Sequence, residues 1–217
     1  MTFSEMTYLS LQLGLAQMDG ICGLAYSSIA VNGNLPLVQS LKKAEVIDNA
    51  VVTFNLEHPD KGSEMTIGGE DPDDRDGEFT FHKVTDERYW MIKVDKVLLG
   101  DKVVIENING IVDTGTSLMV ANGDILGDLA NLKVDPTCKD NSQLPDITFV
   151  ISGVNYVLTS EDYVLHTKVL TVEGCLSGFQ PMALPKEMGM IIGDVFIRKF
   201  ITQFDLENNV VGFAKKK

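Results

Sequence analysis

Ile111-Val112-Asp113-Thr114-Gly115-Thr116-Ser117 is the stretch on which the reading of this chain turns. Two bulky apolar residues, of the kind that extend a strand, deliver an acid onto a tight Thr-Gly turn, and two hydroxyls follow. A carboxylate at a strand end can be buried and still held ionised by backbone amides and a hydroxyl such as that of Thr116. That suits a carboxylate that activates water. Asp, Gly and Thr are equally at home in an ordinary Asx-type turn. An Asp-Thr-Gly-Thr/Ser match arises by chance in roughly one chain in a hundred of this length at average residue usage. The motif alone therefore leaves both readings open.

Short strand-like runs lie on either side. They include Val51 to Leu56, Glu64 to Ile67 before Gly68-Gly69, and Glu78 to His82, which alternates apolar and polar positions as a half-buried strand does. Tyr89 to Leu99 reads as a longer strand, and Gly100-Asp101 turns it into Lys102 to Ile105. Asp146 to Leu158 reads as a hairpin turning near Ser152-Gly153. Phe200 to Phe213 reads as another, with Asn208-Asn209 able to take positive φ. Strands at this spacing predict an all-β sandwich or barrel. Helices are few and short: one near Pro36 with Asn34 as its cap, one opened by Asn122 or Asp124 and running to Leu132, one capped by Asp194 and running to Lys199. Lys215-Lys216-Lys217 reads as a frayed end.

The 217 residues suffice for one ordinary domain or one large β lobe. A chain this long buries roughly 70% of its unfolded surface, so disulfides are optional for stability. No apolar run approaches the ~20 residues of a transmembrane helix, and no signal-peptide pattern opens the chain. No membrane partner is expected. The net charge of −13 repels phosphate backbones and argues against nucleic acid. His58, His82 and His166 are scattered without ligand spacing, so no metal site and no cofactor are expected.

Ile191-Ile192-Gly193-Asp194 changes the weight of the first motif, because Gly193 follows Asp113 by 80 positions. The chain here resembles the pepsin-like aspartic proteinases. The resemblance spans nearly all of it, through Met18-Asp19-Gly20-Ile21-Cys22-Gly23-Leu24-Ala25-Tyr26, Tyr89-Trp90, Ile111 to Leu118, Leu144-Pro145-Asp146-Ile147, Ile191 through Arg198, Phe204-Asp205 and Val211-Gly212-Phe213-Ala214. Several independent motifs in the family's order make it specific.

The resemblance implies an all-β pepsin-like acid protease lobe, of double-psi-type barrel, with a few short helices. In that family two lobes each supply one Asp-Thr/Ser-Gly loop, supported by an apolar-apolar-Gly segment. This sequence holds two supporting segments, Ile21-Cys22-Gly23 and Ile191-Ile192-Gly193, and one Asp-Thr-Gly. The same offset counted back from Gly23 falls upstream of Met1. The expectation is that residues 1–30 are a remnant of an incomplete first lobe, that 31–217 form the second, and that the missing N-terminal lobe is the natural partner. The implied activity is acid-pH endoproteolysis of polypeptides at bulky hydrophobic residues by a carboxylate pair. One carboxylate cannot be both general acid and general base, so the chain alone is expected to be inactive.

Carried over residue by residue, the resemblance makes Asp113 catalytic and Gly115 and Thr116 contacts to substrate backbone. Tyr89, Met182, Met190 and Ile191 become pocket-lining positions, with ordinary core as the other reading of Met182 and Met190. It pairs Cys138 with Cys175, which implies an oxidising compartment: lysosomal/vacuolar or secreted for the full-length form. Cys22 is left over and expected as a buried thiol. Two alternatives stand beside this reading. One is a non-catalytic lobe that binds peptides or proteins. The other is a homodimer facing two Asp113 loops, which would leave strands of the remnant unpaired.

Overall fold

The structure, a computed structural model, describes residues 3–8, 18–57, 61–169 and 172–217. Its strands are β1 (Val51–Asn55), β2 (Glu64–Ile67), β3 (Arg75–Lys83), β4 (Met91–Leu99), β5 (Lys102–Val112), β6 (Met119–Ala121) and β7 (Ile147–Ile151). They continue as β8 (Val154–Leu158), β9 (Val164–Val169), β10 (Val172–Ser177), β11 (Phe179–Pro181), β12 (Met190–Ile192), β13 (Phe200–Asp205) and β14 (Val210–Lys216). Short helices α1 (Leu37–Lys43), α2 (Gly123–Leu126), α3 (Ser160–Tyr163) and α4 (Asp194–Ile197) lie between them. None of the described helices is long and apolar enough to cross a membrane.

Two sheets carry the fold. One runs β2-β1-β13-β14-β3, the other β11-β6-β12-β5-β4-β7-β8, and β9 and β10 form a separate hairpin. The turns follow the backbone preferences of their residues: Gly100, Ser152, Gly153 and Asn209 all take positive φ where the sequence places its hairpins. Strand β12 runs between β5 and β6, parallel to the first and antiparallel to the second. Strand β12 thereby joins the strand before the Asp113 loop to the strand after it. The core fills the space between the sheets with Ile92, Val97, Phe149, Leu158 and Phe196, all without exposed surface. The Phe196 ring meets Phe149 at 5.5 Å and Phe213 at 5.1 Å.

Several local expectations are corrected. Pro36, not Asn34, precedes α1, and the Asn34 amide donates back to Val31 O instead. Gly127 takes positive φ and ends α2, so the chain continues to Asn131 as a 3-10 turn. Asp194 is the first residue of α4, and Gly193 holds the cap position. Lys215 and Lys216 are not frayed but belong to β14. The Lys216 ammonium donates to Leu56 O and to Glu57, and Lys215 pairs with Asp76 at 3.2 Å. Burial in β3 does not follow the expected alternation: Phe79 and Thr80 are both half-buried, Phe81 is exposed and His82 is buried.

Candidate functional site

Strand β5 ends at Val112, and Asp113 begins the loop to β6. The Asp113 backbone N–H donates to Ile192 O at 3.0 Å, which ties the strand end to β12. The turn then folds back on its own acid. Gly115 N–H donates to Asp113 Oδ1 at 2.9 Å, and Thr116 Oγ1 donates to Oδ2 at 2.6 Å. Both carboxylate oxygens thus accept hydrogen bonds from donors within three residues, which fixes the orientation of the carboxylate. Asp113 is half-buried and Gly115 is exposed beside it.

The Ile191-Ile192-Gly193 segment supports this loop by contact. Asp194 N–H donates to Thr116 O at 2.8 Å and Val195 N–H to Ser117 O at 3.2 Å. A Cβ on Gly193 would collide with Thr116 O and Leu118 O, so only glycine lets the two loops approach this closely. Asp194 lies behind the site. Its Oδ1 is buried without a hydrogen-bond partner among the described residues. Burial raises its carboxyl above the usual range; Arg198, 3.8 Å away, opposes that, and the charge of Asp113 adds to the rise.

A cavity of about 300 Å³ opens at Asp113, with Tyr89, Trp90, Met188 and Ile191 among its walls. A second, of about 160 Å³, continues on the other side of Asp113 between Gly23, Leu24, Phe54 and Thr114. The Trp90 indole N–H donates to Leu24 O at 3.2 Å, and the Tyr26 ring lies 4.9 Å from that of Trp90. Leu24 and Tyr26 are thereby fixed at the edge of the groove. A larger recess of about 440 Å³ lies elsewhere, and its lysines and arginine are already paired: Arg198 with Asp194, Lys199 with Asp162, Lys215 with Asp76 and Lys216 with Glu57.

The structure brings Asp113, Gly115, Thr116, Tyr89 and Ile191 together. Met190 has no exposed surface and packs in the core, so its reading as core rather than pocket is the one its position favours. Met182 is half exposed after β11 and is not among the residues lining the Asp113 cavity. Met188 lines it instead. Gly189 at φ +67 reverses the chain between Met188 and β12, and that glycine was the available signal. Cys22 is exposed rather than buried. Cys138 and Cys175 form a disulfide, as the resemblance implied. His166, expected to be isolated, sits beside it.

Comparison with known proteins agrees with this architecture. The pattern of the eukaryotic aspartyl protease family matches residues 1–216. The chain is 37% identical over 216 residues to cathepsin D of Homo sapiens, covering 92% of this chain and 52% of that protein. It is 36% identical over 216 residues to cathepsin E of Mus musculus, covering 92% and 54%. It is 35% identical over 224 residues to vacuolar protease A of Aspergillus fumigatus, covering 95% and 55%. The chain spans about half the length of the curated relatives it matches.

Proposed function

This chain belongs to the eukaryotic aspartyl protease family, and we propose that it supplies one of the two carboxylates with which an aspartic endopeptidase activates water. The observation that supports the reading is the clasp on Asp113: two donors hold its oxygens at the mouth of an apolar groove. Its twin comes from a first lobe bearing its own Asp-Thr/Ser-Gly. Two carboxylates packed together share one proton, because they resist ionising at once. The ionised member takes a proton from water, the protonated one donates to the scissile carbonyl, and water attacks directly without an acyl-enzyme.

Residues 1–30 are assigned to the end of that first lobe and 31–217 to the second. Gly115 and Thr116 contact the substrate backbone, and Tyr89 and Ile191 accept bulky apolar side chains of an extended polypeptide. The apolar walls beside Asp113 support that preference. For the full-length form we propose a lysosomal, vacuolar or secreted location, supported by the disulfide and by the likeness to a vacuolar protease.

The test is an acid-pH assay on a peptide with paired bulky apolar residues. The purified 217-residue chain gives no rate above buffer. Adding a first lobe restores turnover, and Asp113→Asn abolishes it. A clear rate from the pure chain, lost in Asp113→Asn, refutes the incomplete pair. Restored turnover that survives Asp113→Asn refutes the role of Asp113. Peptide binding without turnover in the assembled pair favours a non-catalytic lobe.

A further inference from the structure

Strands β9 and β10 pair in antiparallel register with His166 directly opposite Cys175. The His166 Nδ1 atom lies 3.5 Å from Cys175 Sγ, and Cys138 is bonded to that sulfur. The ligand-type atoms of Cys138, His166 and Cys175 all lie within 4.8 Å of one another. A water-accessible cavity of about 330 Å³ opens onto Cys138 and His166, with Gly174 beside buried Cys175 also in its wall. From this convergence we propose that reduction of the Cys138–Cys175 disulfide converts the cluster into a binding site for a thiolate-seeking divalent cation, Zn²⁺ in the first instance.

The chemistry of the donors fits. Two thiolates and one imidazole are a common zinc donor set, with water in the fourth tetrahedral position. Tetrahedral zinc with a sulfur at ~2.3 Å and a nitrogen at ~2.0 Å sets those two atoms about 3.5 Å apart. That matches the spacing of His166 Nδ1 and Cys175 Sγ already present in the oxidised form. The sulfurs must separate to about 3.8 Å around such an ion, which an intact disulfide forbids. Reduction is therefore the gate.

The step balances with a dithiol as reductant. The dithiol passes two electrons and two protons to the protein disulfide and closes its own sulfur–sulfur bond, leaving Cys138 and Cys175 as thiols. Zn²⁺ then displaces one proton from each thiol and accepts the lone pair of the neutral imidazole.

The two cysteines do not depend on their mutual bond to stay close. The Asp135 carboxylate accepts hydrogen bonds from Thr137 N–H, Thr137 Oγ1, Lys139 N–H and Asp140 N–H, which fixes the turn carrying Cys138. Cys175 N–H donates to Pro136 O at 3.0 Å, which ties that turn to β10. None of these contacts uses a cysteine sulfur, so parting the sulfurs removes none of their donors or acceptors.

The experiment uses the full chain, reduced by a phosphine under anaerobic conditions and titrated with Zn²⁺, with Co²⁺ as a spectroscopic probe. The reduced chain takes up one Zn²⁺ per molecule, melts at a higher temperature with zinc than without, and shows a thiolate-to-cobalt charge-transfer band. The oxidised chain does none of these. His166→Ala keeps its disulfide and lowers the zinc affinity of the reduced form at least about 100-fold, since even outer partners of metal ligands are worth about 10–100-fold. Cys22→Ser binds as the parent does. No uptake by the reduced chain, uptake unchanged in His166→Ala, loss of uptake in Cys22→Ser, or capture by a reduced chain whose circular dichroism is that of a coil each overturns the proposal.

Discussion

Asp113 is held by two donors that its own turn supplies, Gly115 N–H and Thr116 Oγ1. Hydrogen bonds to a charged group are worth about 1.5–3 kcal/mol when the alternative is an unpaired group, and less where water can replace the donor. Asp113 is half-buried, so Thr116→Val is expected to destabilise the chain by about 1 kcal/mol in urea denaturation. In an assembled enzyme it lowers turnover more than substrate affinity, because the carboxylate loses its orientation. Unchanged turnover would remove Thr116 from the site. Gly193 acts through space alone. Gly193→Ala drives a Cβ into two backbone carbonyls that cannot yield as a flexible side chain can. The expected loss is about 3 kcal/mol or more, with the Asp113 loop displaced. A variant melting within a degree of the parent would show that the loops are not packed as described.

Strand β3 shows how an element can present the unexpected face. Its phenylalanines lie over Gly212 on the outer side of the five-stranded sheet, and Arg75 stacks 5.4 Å from the Phe79 ring. The inner side carries His82. Its Nε2 lies 2.6 Å from Tyr156 OH and its Nδ1 3.1 Å from Ser152 Oγ, so the imidazole joins the two sheets. Burial pushes His82 from the ordinary 6.5 down to about 4, while the nearby charge of Asp95 pulls the other way. Between those values the folded state binds fewer protons than the unfolded chain. Stability from this group is therefore fully present above about pH 6.5 and is lost as pH falls toward 4. At about 1.4 kcal/mol per unit, the loss reaches about 3 kcal/mol. His82→Gln flattens that stretch of the pH–stability curve, and a slope equal to the parent's between pH 6.5 and 4 contradicts the assignment. The β9–β10 hairpin is joined to the Cys138 turn by its disulfide, whose sequence separation is 37. Opening it by Cys138→Ser is expected to cost about 3–4 kcal/mol on the chain-entropy account.

At the scale of the molecule, one end of the chain is unlike the rest. Phe3, Tyr8, Ile21 and Val31 are 83%, 88%, 73% and 74% exposed, whereas the lobe behind Asp113 has a dense core. Exposed apolar side chains along this stretch are in keeping with the first lobe proposed above. The net charge of −13 opposes self-association near neutral pH, and protonation of carboxylates in acid removes that opposition. Light scattering is expected to show the isolated chain associating as pH falls, and a first lobe should suppress it. A chain that stays dispersed and monomeric throughout the acid range would contradict this view.

Much of the site was legible in the residues. The Asp113 turn, the glycine of Ile191-Ile192-Gly193 and the hairpins at Gly100-Asp101, Ser152-Gly153 and Asn208-Asn209 were readable, because each depends on backbone preferences expressed within a few residues. The family pairing of Cys138 with Cys175 followed from the resemblance. What only the tertiary structure decided was where side chains point and which distant segments meet. It exposed Phe81 and buried His82, sent Met190 to the core and Met188 to the groove, and set His166 against a disulfide whose partners come from different parts of the chain. The physical reason is register: the periodicity of a strand reveals that its two faces differ, but which face is covered depends on long-range pairing that no local stretch of sequence contains.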